Sequence, residues 1–146
     1  MDSNTKREII LDNYSHPFNR GIIDDDRYIK VNSNNESCID NIDLYLKIED
    51  NIITDIKFDG EACAISTAST SIMIKNMIGL SVDDVLKYID NFEAMLNEEP
   101  YEDVNFNEAV VFDETYKQGN RRTCVTLPYK GIKKAIKEYQ NQQRTS

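Results

Sequence analysis

The sequence predicts an α+β fold with an N-terminal helix, a three-stranded antiparallel sheet and packed C-terminal helices. Two apolar patterns predict it, and they occupy different parts of the chain. The first half alternates apolar with polar residues, as a sheet with one buried face requires, at Ile42, Leu44, Leu46 and Ile48. The C-terminal part has helical spacing instead, at Val125, Tyr129, Ile132, Ile136 and Tyr139. Separation of the two patterns is typical of the α+β class.

The N-terminal helix is predicted from a capping box. Thr5-Lys6-Arg7-Glu8 has the required spacing, so we expect the helix to begin there and to run to about Tyr14. Pro17 and Gly21 then predict an irregular loop.

The sheet is expected to be a hairpin-linked meander. The period-two pattern begins near Tyr28, and Asp50-Asn51 predicts a turn. Residues 52–58 read as the next strand, and Gly60 closes the sheet region.

Three more helices are predicted after the sheet. Residues 64–78 form a helix ended by Gly79, and its first half consists of small residues that would let another backbone approach closely. Ser81-Val82-Asp83-Asp84 is a second capping box, which predicts a short helix to about Ile89. Residues 91–118 are acidic, with helical fragments that have no clear bounds. In the last helix, Pro128 predicts a kink or a delayed start.

Length and composition predict one domain spanning residues 1–146. No run of about 18 apolar residues is present, so no membrane association is expected. The first residues, 1–7, lack an apolar signal core, which predicts a cytoplasmic location. The three cysteines are then expected to be reduced thiols.

Charge is unevenly distributed along the chain. The formal net charge of −9 argues against nucleic-acid binding, because phosphate would be repelled. Residues 117–146, however, contain eight Lys or Arg and one acid, Glu138, a net charge of +7. This basic segment is either a surface that steers an acidic protein partner or an ordinary solvated helix face.

The cysteines fall where thiolate chemistry is plausible. Cys38 and Asp40 lie between the first two predicted strands, Cys63 directly precedes a helix, and Cys124 lies near the start of the last helix. A helix N-terminus favours thiolate over thiol, so two of the three sulfurs should ionise readily. The other reading of the spacing is that all three are small buried hydrophobic residues. His16, in a loop, is expected to be a surface or packing residue rather than part of a Cys–His dyad.

Three segments resemble motifs of the IscU/NifU-like iron–sulfur scaffold family. The first is Ile10-Leu11-Asp12-Asn13-Tyr14-Ser15-His16-Pro17-Phe18-Asn19-Arg20-Gly21. The second is Phe58-Asp59-Gly60-Glu61-Ala62-Cys63-Ala64-Ile65-Ser66, followed by Ala68-Ser69. The third is Arg121-Arg122-Thr123-Cys124-Val125-Thr126-Leu127. The similarity spans about residues 8–138, with the motifs in the family's order.

The branch that the chain resembles is SufU. Cys63 and Cys124 are 61 positions apart, a longer gap than in IscU-type members, and Thr123 stands where those members carry histidine. The resemblance implies a SufE/NifU-like fold and a zinc site made of Cys38, Asp40, Cys63 and Cys124. It also implies that Cys38 accepts sulfur from a SufS-like cysteine desulfurase and that Arg121 supports the site electrostatically. Downstream iron–sulfur assembly proteins would be further partners.

Two alternatives to this sulfur carrier stay open. One is a scaffold in which the cysteines bind iron and build a transient [2Fe–2S] cluster. The other is a zinc-stabilised interaction module without transfer chemistry. Ile39 bears on the second alternative, because the family motif has glycine there. Glycine permits positive φ, which a β-branched residue resists, so Ile39 predicts a different loop path or some strain.

Overall fold

The computed structural model describes residues 1–35, 39–102, 104–115 and 119–145. The secondary-structure elements follow the predicted order of helix, sheet and helices. They are α1 (Ser3–Ser15), β1 (Ile29–Asn34), β2 (Asn41–Glu49), β3 (Ile52–Glu61), α2 (Ala64–Met77), α3 (Val82–Leu96), a 3₁₀ helix (Asn107–Phe112) and α4 (Gly119–Thr145).

The predicted meander is confirmed. The strands pair antiparallel in the order β1-β2-β3, with Asn34 opposite Asn41 and Asn41 opposite Glu61. Asp50 and Asn51 make the β2–β3 turn with φ angles of 51° and 65°, values that Asn and Asp tolerate better than most residues. The register places the ends of β1 and β3 on either side of the start of β2.

One face of the sheet forms the core with the helices. The alternating residues Ile42, Leu44 and Leu46 are fully buried, as the period-two pattern predicts. Helix α4 packs against β1 and β2, and α2 packs against both α1 and α4. The end of β1, the start of β2 and the end of β3 lie at one edge of the sheet, and α2 begins three residues after β3 at that edge.

Helix α1 begins earlier than predicted. Its N-cap is Asp2, whose carboxylate accepts a hydrogen bond from Thr5 N at 2.8 Å. The predicted Thr5 capping box is therefore wrong. Asp2 provides both a capping acceptor and a negative charge at the positive end of the helix. The end of the helix at Ser15 lies one residue beyond the expected Tyr14.

Helix α2 is confirmed, and its small residues are buried as expected. Their hydroxyl groups find acceptors inside the protein. Ser69 Oγ donates to the carbonyl of Val125 at 2.7 Å, and Ser71 Oγ donates to Asn13 Oδ1 at 2.8 Å. Small polar side chains thus allow α2 to lie close to α1 and α4 without leaving these hydroxyls unpaired.

Helix α3 starts at the predicted cap but extends further than expected. Ser81 Oγ accepts from Asp84 N at 3.1 Å, yet the helix runs to Leu96 and not to Ile89. The added turns are stabilised by burial of Phe92 and Met95. The Phe92 ring lies 4.5 Å, centroid to centroid, from that of Tyr129 in α4, so tertiary packing extends the helix.

Helix α4 carries the predicted apolar stripe, and Pro128 lies inside it. The expectation that Pro128 delays the helix is wrong, since α4 spans Gly119–Thr145. Proline has no N–H to donate to the carbonyl four residues earlier, which is that of Cys124. Ser66 Oγ lies 3.1 Å from that carbonyl oxygen. The Ser66 hydroxyl thus replaces the missing hydrogen bond only in part, because its one proton also faces Asp40 Oδ2 at 2.8 Å.

Candidate metal centre

Three of the four predicted ligands come together at the junction of the sheet with α2 and α4. Asp40 immediately precedes β2, Cys63 is the N-cap of α2, and Cys124 lies in α4. One ligand atom from each residue lies within 4.8 Å of the other two. The sequence separates Asp40 from Cys124 by most of the domain, and the packing of α2 against α4 closes that distance.

Asp40 is the buried carboxylate of the cluster. It is 1% exposed, and both of its oxygens accept hydrogen bonds from the start of α2. Oδ1 accepts from Cys63 N at 2.7 Å, and Oδ2 accepts from Ser66 Oγ at 2.8 Å. Both donors come from the N-terminus of α2, which is partially positive.

Cys63 is placed as the sequence predicts. Its Sγ caps α2 by accepting from Ser66 N at 3.4 Å, and it lies 3.8 Å from Asp40 Oδ2. At this position the sulfur faces a backbone donor and the positive end of the helix dipole.

Cys124 differs from the prediction. It lies more than one turn inside α4 and not at the start of the helix, so the expected N-terminal stabilisation of its thiolate is wrong. Burial raises the pKa of Cys124 to about 12, and the neighbouring Cys63 and Asp40 add to the effect. Without a cation this sulfur keeps its proton at neutral pH. A cation bound between Cys124, Cys63 and Asp40 would instead favour loss of the Cys124 proton, because its positive charge would offset the repulsion between the three groups.

The donor set fits zinc. Two sulfurs and a carboxylate oxygen are ordinary zinc ligands, and tetrahedral coordination with Zn–S of about 2.3 Å puts neighbouring sulfurs about 3.8 Å apart. The three donor atoms, all within 4.8 Å of one another, reach that spacing by small side-chain movements. A closed tetrahedral site needs one further ligand.

Cys38, the predicted fourth ligand and sulfur acceptor, lies outside the described residues. Its neighbours on either side of the gap are Asn35 and Ile39, and the Ile39 residue is 74% exposed. The role of Cys38 stays a prediction, supported by its place two residues before Asp40.

Arg121 lies on the exposed surface of α4, one turn before Cys124. Within the described part of the chain it makes no hydrogen bond or ion pair to Asp40, Cys63 or Cys124. It lines a cavity of about 560 Å³ together with Lys6 and Arg7 of α1. Arg121 would therefore act on the three ligand residues through space and not through a hydrogen bond or ion pair. Its electrostatic role stays a prediction.

His16 is a surface residue, as expected. It caps the C-terminal end of α1, and its Nδ1 lies 3.7 Å from Asp12 Oδ1 with both side chains largely exposed. It does not belong to the described metal-ligand cluster.

Ser66 is the site residue that sequence reasoning missed. It is fully buried, and its Oγ lies 2.8 Å from Asp40 Oδ2, 3.4 Å from Cys63 Sγ and 3.1 Å from the Cys124 carbonyl. A serine three residues after an N-cap faces that cap across the first helical turn. This spacing was the available signal, but Ser66 stands in a run of small residues that predicts close packing equally well.

The basic segment is partly engaged within the chain. Lys133 Nζ lies 2.6 Å from Glu93 Oε1, and Lys134 Nζ donates to the Asn32 carbonyl at 2.8 Å. Arg121 and Arg122 are exposed on the same helix, closer in sequence to Cys124. Both interpretations of the basic segment remain open, and the arginines are the basic residues nearest to the cluster in the chain. In the ranges that the structure describes, no helix is long and apolar enough to cross a bilayer.

The chain is similar to proteins of iron–sulfur cluster assembly. The zinc-dependent sulfurtransferase SufU of Bacillus subtilis (strain 168) is 33% identical over 131 residues, which cover 89% of this chain and 88% of that protein. The iron–sulfur cluster assembly scaffold protein IscU of Thermotoga maritima is 34% identical over 131 residues, which cover 90% of this chain and 92% of that protein.

Solved structures give the same result. A crystal structure of an iron–sulfur cluster assembly scaffold protein for the SUF system, from Fervidobacterium islandicum AW-1, superposes with a TM-score of 0.83 at 30% identity. The superposition covers 92% of this chain and 99% of the Fervidobacterium chain. The N-terminal part of a NifU-like protein from Brucella abortus superposes with a TM-score of 0.78 at 25% identity, and the superposition covers 92% of this chain and 93% of the Brucella chain.

The family model of the NifU-like N-terminal domain matches residues 5–146. The chain therefore belongs to the NifU-like N-terminal domain family of iron–sulfur cluster assembly proteins.

Proposed function

We propose that this protein is a zinc-dependent sulfur carrier that accepts persulfide sulfur from a cysteine desulfurase for iron–sulfur cluster assembly. The observation that carries the proposal is the cluster of Asp40, Cys63 and Cys124, whose ligand atoms lie within 4.8 Å of one another. Similarity to a protein named zinc-dependent sulfurtransferase SufU supports the choice of metal and of reaction.

Cys38, Asp40, Cys63 and Cys124 would hold the metal. When bound, zinc supplies the positive charge that keeps the thiols deprotonated at neutral pH. Cys63 and Cys124 are held at or in helices packed into the core, so neither can leave its place without moving a helix. We therefore assign the acceptor role to Cys38, which stands two residues before Asp40 in the sequence.

The transfer itself is a thiol–disulfide type exchange. The Cys38 thiolate attacks the outer sulfur of the desulfurase persulfide, and a new S–S bond forms on Cys38. The S–S bond of the donor breaks, and the donor cysteine leaves as a thiolate. No external oxidant or reductant is consumed, so the protein acts as a carrier more than as a turnover enzyme. The reduced thiols that the step needs are maintained in the cytosol.

Asp40 is the ligand that can leave at least cost. Its two oxygens accept from Cys63 N and Ser66 Oγ, and both donors belong to the protein. A carboxylate released from a metal would therefore still be paired in its buried position, which avoids the desolvation cost of an unpaired charge.

A second candidate is a scaffold on which the same cysteines assemble a transient [2Fe–2S] cluster as cargo. Similarity to the scaffold protein IscU of Thermotoga maritima favours it. Absorbance of a cluster after anaerobic reconstitution with iron and sulfide separates this candidate from the carrier. The remaining alternative, an interaction module stabilised by zinc, would neither form the cluster nor accept sulfur. Its partners would be downstream assembly proteins.

Mass spectrometry locates the transferred sulfur. After incubation with a cysteine desulfurase and cysteine, we expect one additional sulfur on Cys38 of the zinc-loaded protein. Cys38→Ser should fold and fail to accept sulfur, because the nucleophile is absent. An additional sulfur found only on Cys63 or Cys124 contradicts the assignment, and a protein that accepts none is not a carrier.

A further inference from the structure

Ser66 connects the three described ligand residues through one buried hydroxyl. Its Oγ lies 2.8 Å from Asp40 Oδ2, 3.4 Å from Cys63 Sγ and 3.1 Å from the carbonyl oxygen of Cys124. We propose that Ser66 is a positioning residue that fixes the Asp40 carboxylate for metal binding. The proposal rests on the zinc site of the proposed function and adds a residue that is not itself a ligand.

The first argument is geometric. A carboxylate can turn about its Cβ–Cγ bond, and two donors from α2 prevent this for Asp40. Cys63 N holds Oδ1 and Ser66 Oγ holds Oδ2. Each oxygen keeps a further lone pair that can bind a cation. Donors behind a metal ligand orient it and commonly contribute 10–100-fold to metal affinity.

The second argument concerns what fixes Ser66. Pro128 cannot donate to the Cys124 carbonyl, and Ser66 Oγ lies 3.1 Å from this carbonyl oxygen, so its one proton is shared between the carbonyl and Asp40 Oδ2 at 2.8 Å. The hydroxyl therefore lies between a ligand of the β1–β2 connection and the backbone of a ligand in α4. Because Ser66 is fully buried, no water competes for its hydroxyl. Its position couples Asp40 to the segment of α4 that carries Cys124.

Ser69 provides a matched control one turn later in α2. It is also fully buried, and its Oγ donates to the carbonyl of Val125 at 2.7 Å. This carbonyl is the next one along α4, three residues before Pro128. Removal of either hydroxyl takes a hydrogen bond from the same helix pair, but only Ser66 contacts the ligand residues.

The experiment compares zinc affinity, by chelator competition, for the wild type, Ser66→Ala and Ser69→Ala. We expect Ser66→Ala to lower zinc affinity about tenfold or more, and Ser69→Ala to change it less than about twofold. Both variants should lower the melting temperature of the metal-free protein, Ser66→Ala more than Ser69→Ala, because Ser66 serves a buried carboxylate and Ser69 a neutral carbonyl. Ser66→Thr keeps the hydroxyl and should retain the wild-type affinity.

A second measurement separates positioning from general destabilisation. In an Asp40→Ala background, Ser66→Ala should lower zinc affinity no further, because its effect acts through the carboxylate. Equal zinc affinities for Ser66→Ala and Ser69→Ala, or an undiminished loss of affinity in the Asp40→Ala background, would overturn the positioning role of Ser66. Neither result would contradict the proposed function. A wild-type protein that binds no zinc would overturn the proposed function, and the positioning role with it.

Discussion

Burial changes the protonation of a single residue, Cys124, at the candidate metal site. Its pKa is raised from 9.0 to about 12 by burial first, and then by Cys63 and Asp40. A group whose pKa is raised on folding binds its proton more tightly in the native state. The corresponding stability is fully present below about pH 9 and is lost as the pH rises toward about 12.

The metal-free protein should therefore lose stability above about pH 9 in a way that depends on Cys124. Chemical unfolding measured between pH 8 and pH 11 should show this loss in the wild type and a smaller one in Cys124→Ser. The comparison with the variant is needed because Tyr28 and Tyr88 also have a pKa raised to about 12. Parallel pH profiles for the two proteins would contradict the assignment to Cys124.

For single residues, the sequence predicted which side chains are candidate ligands but not which groups pack around each of them. Cys63 as a helix cap follows from local spacing, because the preceding glycine and the following small residues bound the helix. The surroundings of Cys124 depend on packing between α2 and α4, which no local pattern encodes. Ser66 could not be distinguished from its small neighbours for the same reason.

Among the elements, β3 packs closely against the start of β2 at Gly60, next to Asp40. Gly60 has a φ of +128°, and an added Cβ would clash with the backbone oxygen of Asn41 and lie 2.9 Å from Ile42 Cα. Strand β2 thus approaches β3 closely just where the chain leaves Asp40. Only glycine fits there without moving one of the two strands.

Gly60→Ala should destabilise the fold by more than Gly79→Ala. Both glycines have positive φ, but a Cβ on Gly79 would meet no described atom within 4 Å. The two substitutions share the backbone strain, and Gly60→Ala adds overpacking of about 1–3 kcal/mol. Denaturant unfolding of the two variants measures the difference. Equal losses would show that β2 and β3 can separate at this point without cost.

Helix α4 offers a test of partner docking. If its basic residues near the cluster steer a desulfurase, the double variant Arg121→Glu/Arg122→Glu should slow association and reduce its dependence on salt. The double variant Lys133→Glu/Lys134→Glu changes the same charge on the same helix, further from Cys124, and should have the smaller effect on association. Stopped-flow association rates at several ionic strengths would check this. Rates for both variants equal to that of the wild type at low salt would identify α4 as a solvated face, and equal slowing would show that distance from Cys124 does not matter.

The elements were predictable where one local signal dominates. Period-two burial and the Asp50-Asn51 turn predict the meander, and the small residues predict α2. The errors arise where tertiary contacts override that signal. Asp2 replaces the expected Thr5 cap, burial of Phe92 and Met95 extends α3, and Ser66 partly satisfies the carbonyl that Pro128 leaves without a donor in α4.

For the whole molecule, the order of elements was predictable but the convergence of the ligands was not. Asp40, Cys63 and Cys124 are brought together by the meander register and by packing of α2 on α4. Only the family resemblance indicated that distant cysteines share one site. The acidic stretch before α4 shows why spacing alone is insufficient, because it contains a buried 3₁₀ helix that no simple period describes.

The proposed function requires one zinc ion held by three cysteine sulfurs and one aspartate oxygen. Zinc-edge X-ray absorption on reduced protein, purified without added metal, measures this ligand set directly. We expect about three sulfur neighbours near 2.3 Å and one oxygen near 2.0–2.2 Å. Cys63→Ser and Cys124→Ser should each lose zinc or one sulfur neighbour. Absence of zinc, a nitrogen-rich shell, or an unchanged sulfur count in either variant would contradict the proposed function.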